Sequence, residues 1–327
     1  MTLAELANFV CGKVRQTDTR AIAKCKEFIA RRYELIYNDA LWRDSLYLFA
    51  FTFTPNSTAA VPEGPASWDA THLMPTVVDK VIAIRSASQE ITATGQEILM
   101  RGGFDAFAET GAPVQFATLA PCVNILPSAY ATHDLGIEAD SPNDTGSPWT
   151  AHIVAPDGTR TKVTGLLVDA VTISISSSVT IIERVTKQVT AATVNLNTNG
   201  ASFLVSRASA IDTSFPLRLP VRFFPTPTAA VDLRALVKKK FVPLADDADV
   251  PELRNVDLGL IAYAQADMWE YARQIGKAQA KFAEAAATLS QLKMLHTWQE
   301  QTLVRAVPEV FEPSGVVVDQ LVGKGYW

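Results

Sequence analysis

The chain has 327 residues, 48% of them hydrophobic and 19% charged, with a formal net charge of −5. That length predicts about two domains at roughly 150 residues each, and so much apolar material excludes wholesale disorder. With 29 Lys and Arg against 34 Asp and Glu, no cationic surplus exists to displace counterions from phosphates, which argues against a conventional nucleic-acid binder.

The first 45 residues read as two helices. Leu3, Leu6, Ala7, Val10 and Val14 recur at helical spacing, and the chain breaks at 16–19. Asp18 is placed to cap a second helix with Ile22, Cys25, Ile29, Tyr33, Ile36 and Ala40 on its apolar face, ending near Trp42. The most apolar run, LYLFAFTF at 46–53, is far shorter than the roughly 20 residues of a spanning helix. The N-terminus lacks a basic leader followed by an apolar run, so a soluble chain without a secretory signal is expected.

A Pro/Gly/Ser-rich loop occupies 54–76, and a strand follows at 77–86. Residues 90–116 read as irregular or partly helical around 96–107. From about 119 to 222 charge thins out and Thr, Ser and Val dominate. Candidate strands lie at 149–154, 161–167, 171–176, 179–185, 193–196 and 202–205, with turn signals at 156–158 and 197–200. This pattern predicts a small sandwich or barrel inserted into a helical host. The chain returns through strands at 221–224 and 231–241 and an acidic loop at 243–253. Two helices then fill 255–306, with a corner at Gly276. In the second, Ala278, Phe282, Ala285, Leu289, Leu292, His296 and Leu303 follow gaps of four and three, a seam suited to helix–helix packing. Trp269 lies on the apolar side of the first. Trp269, Phe282, Leu289, Leu292 and His296 are therefore the candidate subunit-packing residues. Pro308 stops the helix and leaves an arm over 308–327.

Catalytic and metal-binding signatures are weak. His72, His133, His152 and His296 share no metal-ligand spacing. Asp246, Asp247 and Asp249 could suggest a calcium loop, but Pro251 and the missing Gly break the pattern, and they read as a turn capping the following helix. No Gly-x-Ser-x-Gly or phosphate loop occurs; paired carboxylates leave no local signature. The expectation is a protein without catalysis, metal or cofactor. Cys11, Cys25 and Cys122 are too few and scattered for a disulfide framework. Lys238, Lys239 and Lys240 read first as a solvated edge strand, and otherwise as a contact for an acidic partner or passing DNA. The arm puts Phe311, Val316, Val317, Val318, Tyr326 and Trp327 on a segment too Gly/Pro-broken to fold alone. It either docks on a partner, adding a strand through its valines, or folds back on its own subunit.

The order of several motifs resembles the head-to-tail adaptor (neck connector) proteins of tailed bacteriophages. The motifs are YELIYNDALWRDS (33–45), VDKVIAIRS (78–86), ETGAPVQFA (109–117), RFFPTPTAAVDLRALVKKKF (222–241), PLADDADVPEL (243–253), LGLIAYAQADMWEYARQ (258–274) and GKAQAKFAEAAATLSQL (276–292). DGTRTKVTGLL (157–167) and VTIIERVTKQVTAATVNL (179–196) are similar to a β-sandwich of longer members, and 50–76 has no counterpart. The resemblance implies a virion protein, assembled in the bacterial host cytoplasm, that forms a ring, usually of twelve subunits. The ring would join the portal protein to the next tail or neck protein, with double-stranded DNA passing through unbound. The arm carrying Phe311, Val316, Val317, Val318, Tyr326 and Trp327 would be the portal-docking element. The expected fold is α+β. A bundle of N-terminal helices (1–48) and C-terminal helices (255–307) would hold a connector (49–118), an inserted β-sandwich-like domain (119–222), returning strands with the acidic loop (223–254) and the arm (308–327). The alternative function is a surface-binding virion module that recognises host glycan or protein, with Trp149 and Phe203 as its candidate aromatics.

Overall fold

The structure is a computed structural model that describes residues 1–55, 67–68, 71–87, 89–94, 110–126, 134–168, 173–176, 179–199 and 203–297. The chain divides into two units, one of Met1–Leu46 with Phe241–Trp327 and one of Tyr47–Lys240.

Helix α1 (Leu3–Val14) begins with a capping box in which the Thr2 hydroxyl accepts from the Glu5 backbone N–H and the Glu5 carboxylate accepts from that of Thr2. Helix α2 (Thr19–Asp39) starts at Asp18, whose carboxylate accepts from the Ala21 N–H at 2.6 Å, as its position predicts. Helices α3 (Asp257–Tyr271) and α4 (Ile275–His296) come from the other end of the sequence. The four share one core, where Leu6, Val10, Ile29 and Ile36 meet Leu260, Met268, Leu289 and Leu292. The acidic loop serves α1 rather than α3: the carbonyls of Asp249 and Asp247 accept from the Leu3 and Ala4 N–H groups, at 2.8 and 3.2 Å. Phe241, expected at the end of a strand, packs instead between Tyr33 and Tyr37, with ring centroids 5.4 and 5.3 Å away.

The second unit overturns the expected fold class. The protein is mostly β, with three sheets of eight, four and four strands among the described residues, and is not a helical bundle with an inserted domain. Strands are not confined to 119–222. They begin with β1 (Leu46–Phe53), β2 (Ser67–Trp68), β3 (Thr71–Leu73), β4 (Val78–Ser86), β5 (Glu90–Ala93) and β6 (Gln115–Thr118). They end with β15 (Pro220–Phe224) and β16 (Val231–Lys239). These eight form one sheet in the order β1-β16-β4-β5-β6-β15-β3-β2. The sheet curls into a half-barrel that brings side chains from its two ends together. Phe51 of β1 stacks on His72 of β3 with centroids 4.1 Å apart, and Phe53 meets Phe223 of β15 edge-on at 5.3 Å. Inside lie Val78, Val81, Ile84, Ile91, Phe116 and Val221.

Between β6 and β15 the chain runs through β7 (Asn124–Ile125), β8 (Asp134–Ala139), β9 (Pro148–Val154), β10 (Arg160–Leu166), β11 (Ile173–Ser176), β12 (Ile181–Lys187), β13 (Val194–Asn199) and β14 (Phe203–Ala208). They build sheets ordered β10-β9-β12-β7 and β11-β8-β13-β14, which share one core. Period-2 alternation sends Trp149, Ala151 and Ile153 into it from one sheet and Leu135, Ile137 and Ala139 from the other. Asn197, Thr198 and Asn199, expected in a turn, belong to β13 instead. The reading of 96–107 as partly helical lies outside the described residues.

Candidate assembly surfaces

Helix α4 carries two opposed stripes. The inner one is the seam expected from sequence: Ala278, Ala285, Leu289 and Leu292 are buried, with Phe282 and His296 half-buried at its borders. Leu289 and Leu292 are therefore committed to the core of their own chain, not free for a neighbouring subunit. Trp269 and Phe282 also have intramolecular partners. The Lys277 ammonium lies 4.5 Å from the Trp269 ring centre, and the Arg32 guanidinium 5.3 Å from that of Phe282. His296 approaches the Asn255 amide, Nε2 to Nδ2, at 3.3 Å.

The outer stripe was missed. Gly276, Ala280, Ala283, Ala287, Ser290 and Met294 are all exposed and follow the same four–three spacing, offset by two residues from the inner seam. An offset of two turns a helix by about 200°, so the two stripes face opposite ways. Met294 is 71% exposed, and the neighbouring Leu295 and Ile275 are 65% and 63%. A Cβ added at Gly276 would meet open space. A row of small residues lets a second helix approach closely. Its heptad spacing is present in the sequence, but small side chains give it no hydrophobic contrast.

Helix α4 is held firmly. Arg32 on α2 donates from Nε and Nη2 to the two oxygens of Asp267 on α3, at 2.7 and 2.5 Å. Its guanidinium also lies over Tyr263 and Phe282, at 5.0 and 5.3 Å, which joins α2, α3 and α4. The hydrogen bond to Asp267 raises the Arg32 pKa further. Lys293 of α4 pairs with Asp39 at the end of α2.

The remaining sequence candidates resolve differently. Trp149 is 3% exposed, so it is core and offers no platform for a sugar. The Phe203 side chain lies outside the described residues. The lysine run is not solvated: Lys238 is buried, and Lys240 donates to the Leu217 carbonyl at 2.6 Å. Burial lowers the pKa of both. Burial likewise raises the thiols of Cys11 and Cys25 and pushes that of Cys122 up to about 12. His72 is pushed down to about 3 by burial and by the Arg218 charge beside it. Among the described residues no group of His, Cys, Asp or Glu side chains is arranged to hold a metal, and no helix is long and apolar enough to cross a membrane. Phe311, Val316, Val317, Val318, Tyr326 and Trp327 lie outside the described residues.

No protein-family model matches the chain, and no curated protein matches it in sequence.

Proposed function

We propose that the chain is a structural adaptor in the neck of a tailed bacteriophage. Its copies close into a ring, joining the portal protein to the next tail or neck protein and lining a passage for double-stranded DNA. The work is geometric, without catalysis or cofactor, and the place of action is the virion. The observation that carries this reading is the outer stripe of α4. Opposite a seam already satisfied within the chain stands a second one with nothing against it among the described residues, on a helix anchored by Arg32 and Lys293. A heptad face built from Gly, Ala and Ser suits the side-by-side packing of identical subunits. The acid-leaning net charge suits a bore through which DNA slides, since strong phosphate contacts oppose passage. The order of the sequence motifs carries the family resemblance, and Phe311, Val316, Val317, Val318, Tyr326 and Trp327 on the arm are the residues offered to the portal.

The test is the mass and shape of the native protein, purified alone or recovered from virions. Sedimentation and electron images should give one discrete closed ring. A strictly monomeric mass, together with no binding to the portal protein at micromolar concentration, would refute the reading.

A further inference from the structure

Strands β1, β16 and β4 are neighbours in the eight-stranded sheet, and their side chains alternate between its two faces. Phe53, Leu233, Ala235 and Ile84 enter the core. Alternation therefore puts Leu48 and Ala50 of β1, Arg234 and Leu236 of β16, and Ala83 and Arg85 of β4 on the outward face. Two cavities lie over these three strands. One of about 770 Å³ is lined by Ala50, Arg85 and Arg234, and a second of about 410 Å³ shares the two arginines and adds Leu48, Ala83 and Leu236. The floor is thus cationic at one end and apolar at the other. Arg85 and Arg234 are register partners, an arrangement of like charges that is unfavourable unless something neutralises it. No ion pair or hydrogen bond joins either to another described residue. Of the acids nearby, Asp232 accepts from the Thr52 hydroxyl at 2.6 Å, and Glu90, opposite Arg85 on β5, forms no ion pair with it.

We propose that this outward face receives residues 308–313, PEVFEP, of a second copy of the chain. The segment lies over β16, with the Glu309 carboxylate on Arg85 and Arg234 and the Phe311 ring on Leu48 and Leu236. The spacing matches. Glu309 and Phe311 are two residues apart, as are Arg234 and Leu236, so an extended segment running along β16 repeats its interval of about 7 Å. The sequence favours extension: Pro308 has a fixed φ, Glu312 precedes a proline, and Val310 is β-branched. Prolines lack the N–H of a ladder, which suits docking on a face rather than pairing at an edge. One carboxylate can accept from both guanidiniums. Residues 308–327 carry Glu309, Glu312 and Asp319 against the single Lys324, so the segment is acidic where the arginine pair needs acid. An arm laid on the face of the next copy is a head-to-tail contact, the kind that generates rings. This goes beyond the ring reading and moves Phe311 from the portal to a sister copy, with Val316–Val318, Tyr326 and Trp327 left to the portal.

The test uses full-length chains. One carries Ala50→Cys, the other Val310→Cys; the native Cys11, Cys25 and Cys122 are buried and stay silent. Mixed and treated with the short linker bismaleimidoethane, the two should give a covalent dimer. Glu309→Gln in the second chain, which leaves the sheet untouched, should slow linking about tenfold, as should Arg85→Gln with Arg234→Gln in the first. Glu312→Gln, at a position that alternation turns away from the sheet, should leave the rate unchanged. Exchanging the charges, Arg234→Glu against Glu309→Arg, should restore linking. Absence of the dimer, a rate indifferent to Glu309 and the arginines, or equal slowing by Glu312→Gln overturns the proposal. So does linking within one chain in the double cysteine variant at high dilution. Rings without the link overturn this inference alone, and linked pairs of a protein that forms no ring overturn the ring reading alone.

Discussion

At the scale of single residues, the clearest constraint is one the sequence shows only as an inconspicuous glycine. Gly165 on β10 lies directly opposite Trp149 on β9, and a Cβ there would stand 2.6 Å from the indole. A buried ring cannot withdraw as a flexible chain end would. Gly165→Ala should therefore cost about 1–3 kcal/mol, read as a lower urea midpoint with unchanged slope. His72 makes a second prediction. Its folded pKa of about 3 lies below the ordinary 6.5, so the unfolded chain binds the extra proton. Stability from this group is complete above pH 6.5 and falls as pH drops towards 3, at up to about 1.4 kcal/mol per pH unit. Relative to His72→Gln, the native protein should lose about 2 kcal/mol between pH 7 and pH 5 in urea unfolding; parallel profiles would show that burial does not hold the imidazole neutral.

At the scale of elements, the Arg32–Asp267 pair couples three helices, and its chemistry sets what mutations do. Asp267→Asn leaves a half-buried guanidinium without its carboxylate and should cost about 2 kcal/mol. Arg32→Met combined with Asp267→Leu, which removes both charges, should cost much less, because desolvation offsets most of what the pair gains. Thermal unfolding of the two variants checks the ordering. Helices were legible in the sequence because their signals are long and redundant: Asp18 as a cap and Cys25, Ile29, Tyr33 and Ile36 as a stripe identify α2. Strands were legible only where alternation persisted, as at Trp149, Ala151 and Ile153. β3, β5 and β6 have three or four residues each, too few for a period to show. The run at 46–53 is too short for a membrane helix, and its alternation of Phe49, Phe51 and Phe53 with smaller residues marks a half-buried strand. The candidate site divides in the same way. The inner seam of α4 was legible from its leucines, whereas the outer stripe is written in Gly, Ala and Ser, which carry no hydrophobic contrast.

At the scale of the whole molecule, the chain is two units, a smaller helical one made from both ends of the sequence and a larger β unit between them. The helical periodicity at both chain ends stands out in the sequence, while many of the strands lie among Thr and Ser, where alternation has little contrast. The functional account depends on the helical unit. It requires that the outer stripe of α4 meet another copy, and a charge placed at the exposed Ala283 or Ala287 meets open surface among the described residues. The most direct test compares the sedimentation of the native protein with that of Ala283→Arg/Ala287→Arg. The native chain should run as one closed ring, and the variant as a folded monomer whose urea midpoint is unchanged to within about 0.5 kcal/mol, as expected for exposed positions. A variant that assembles as the native protein does would contradict the account.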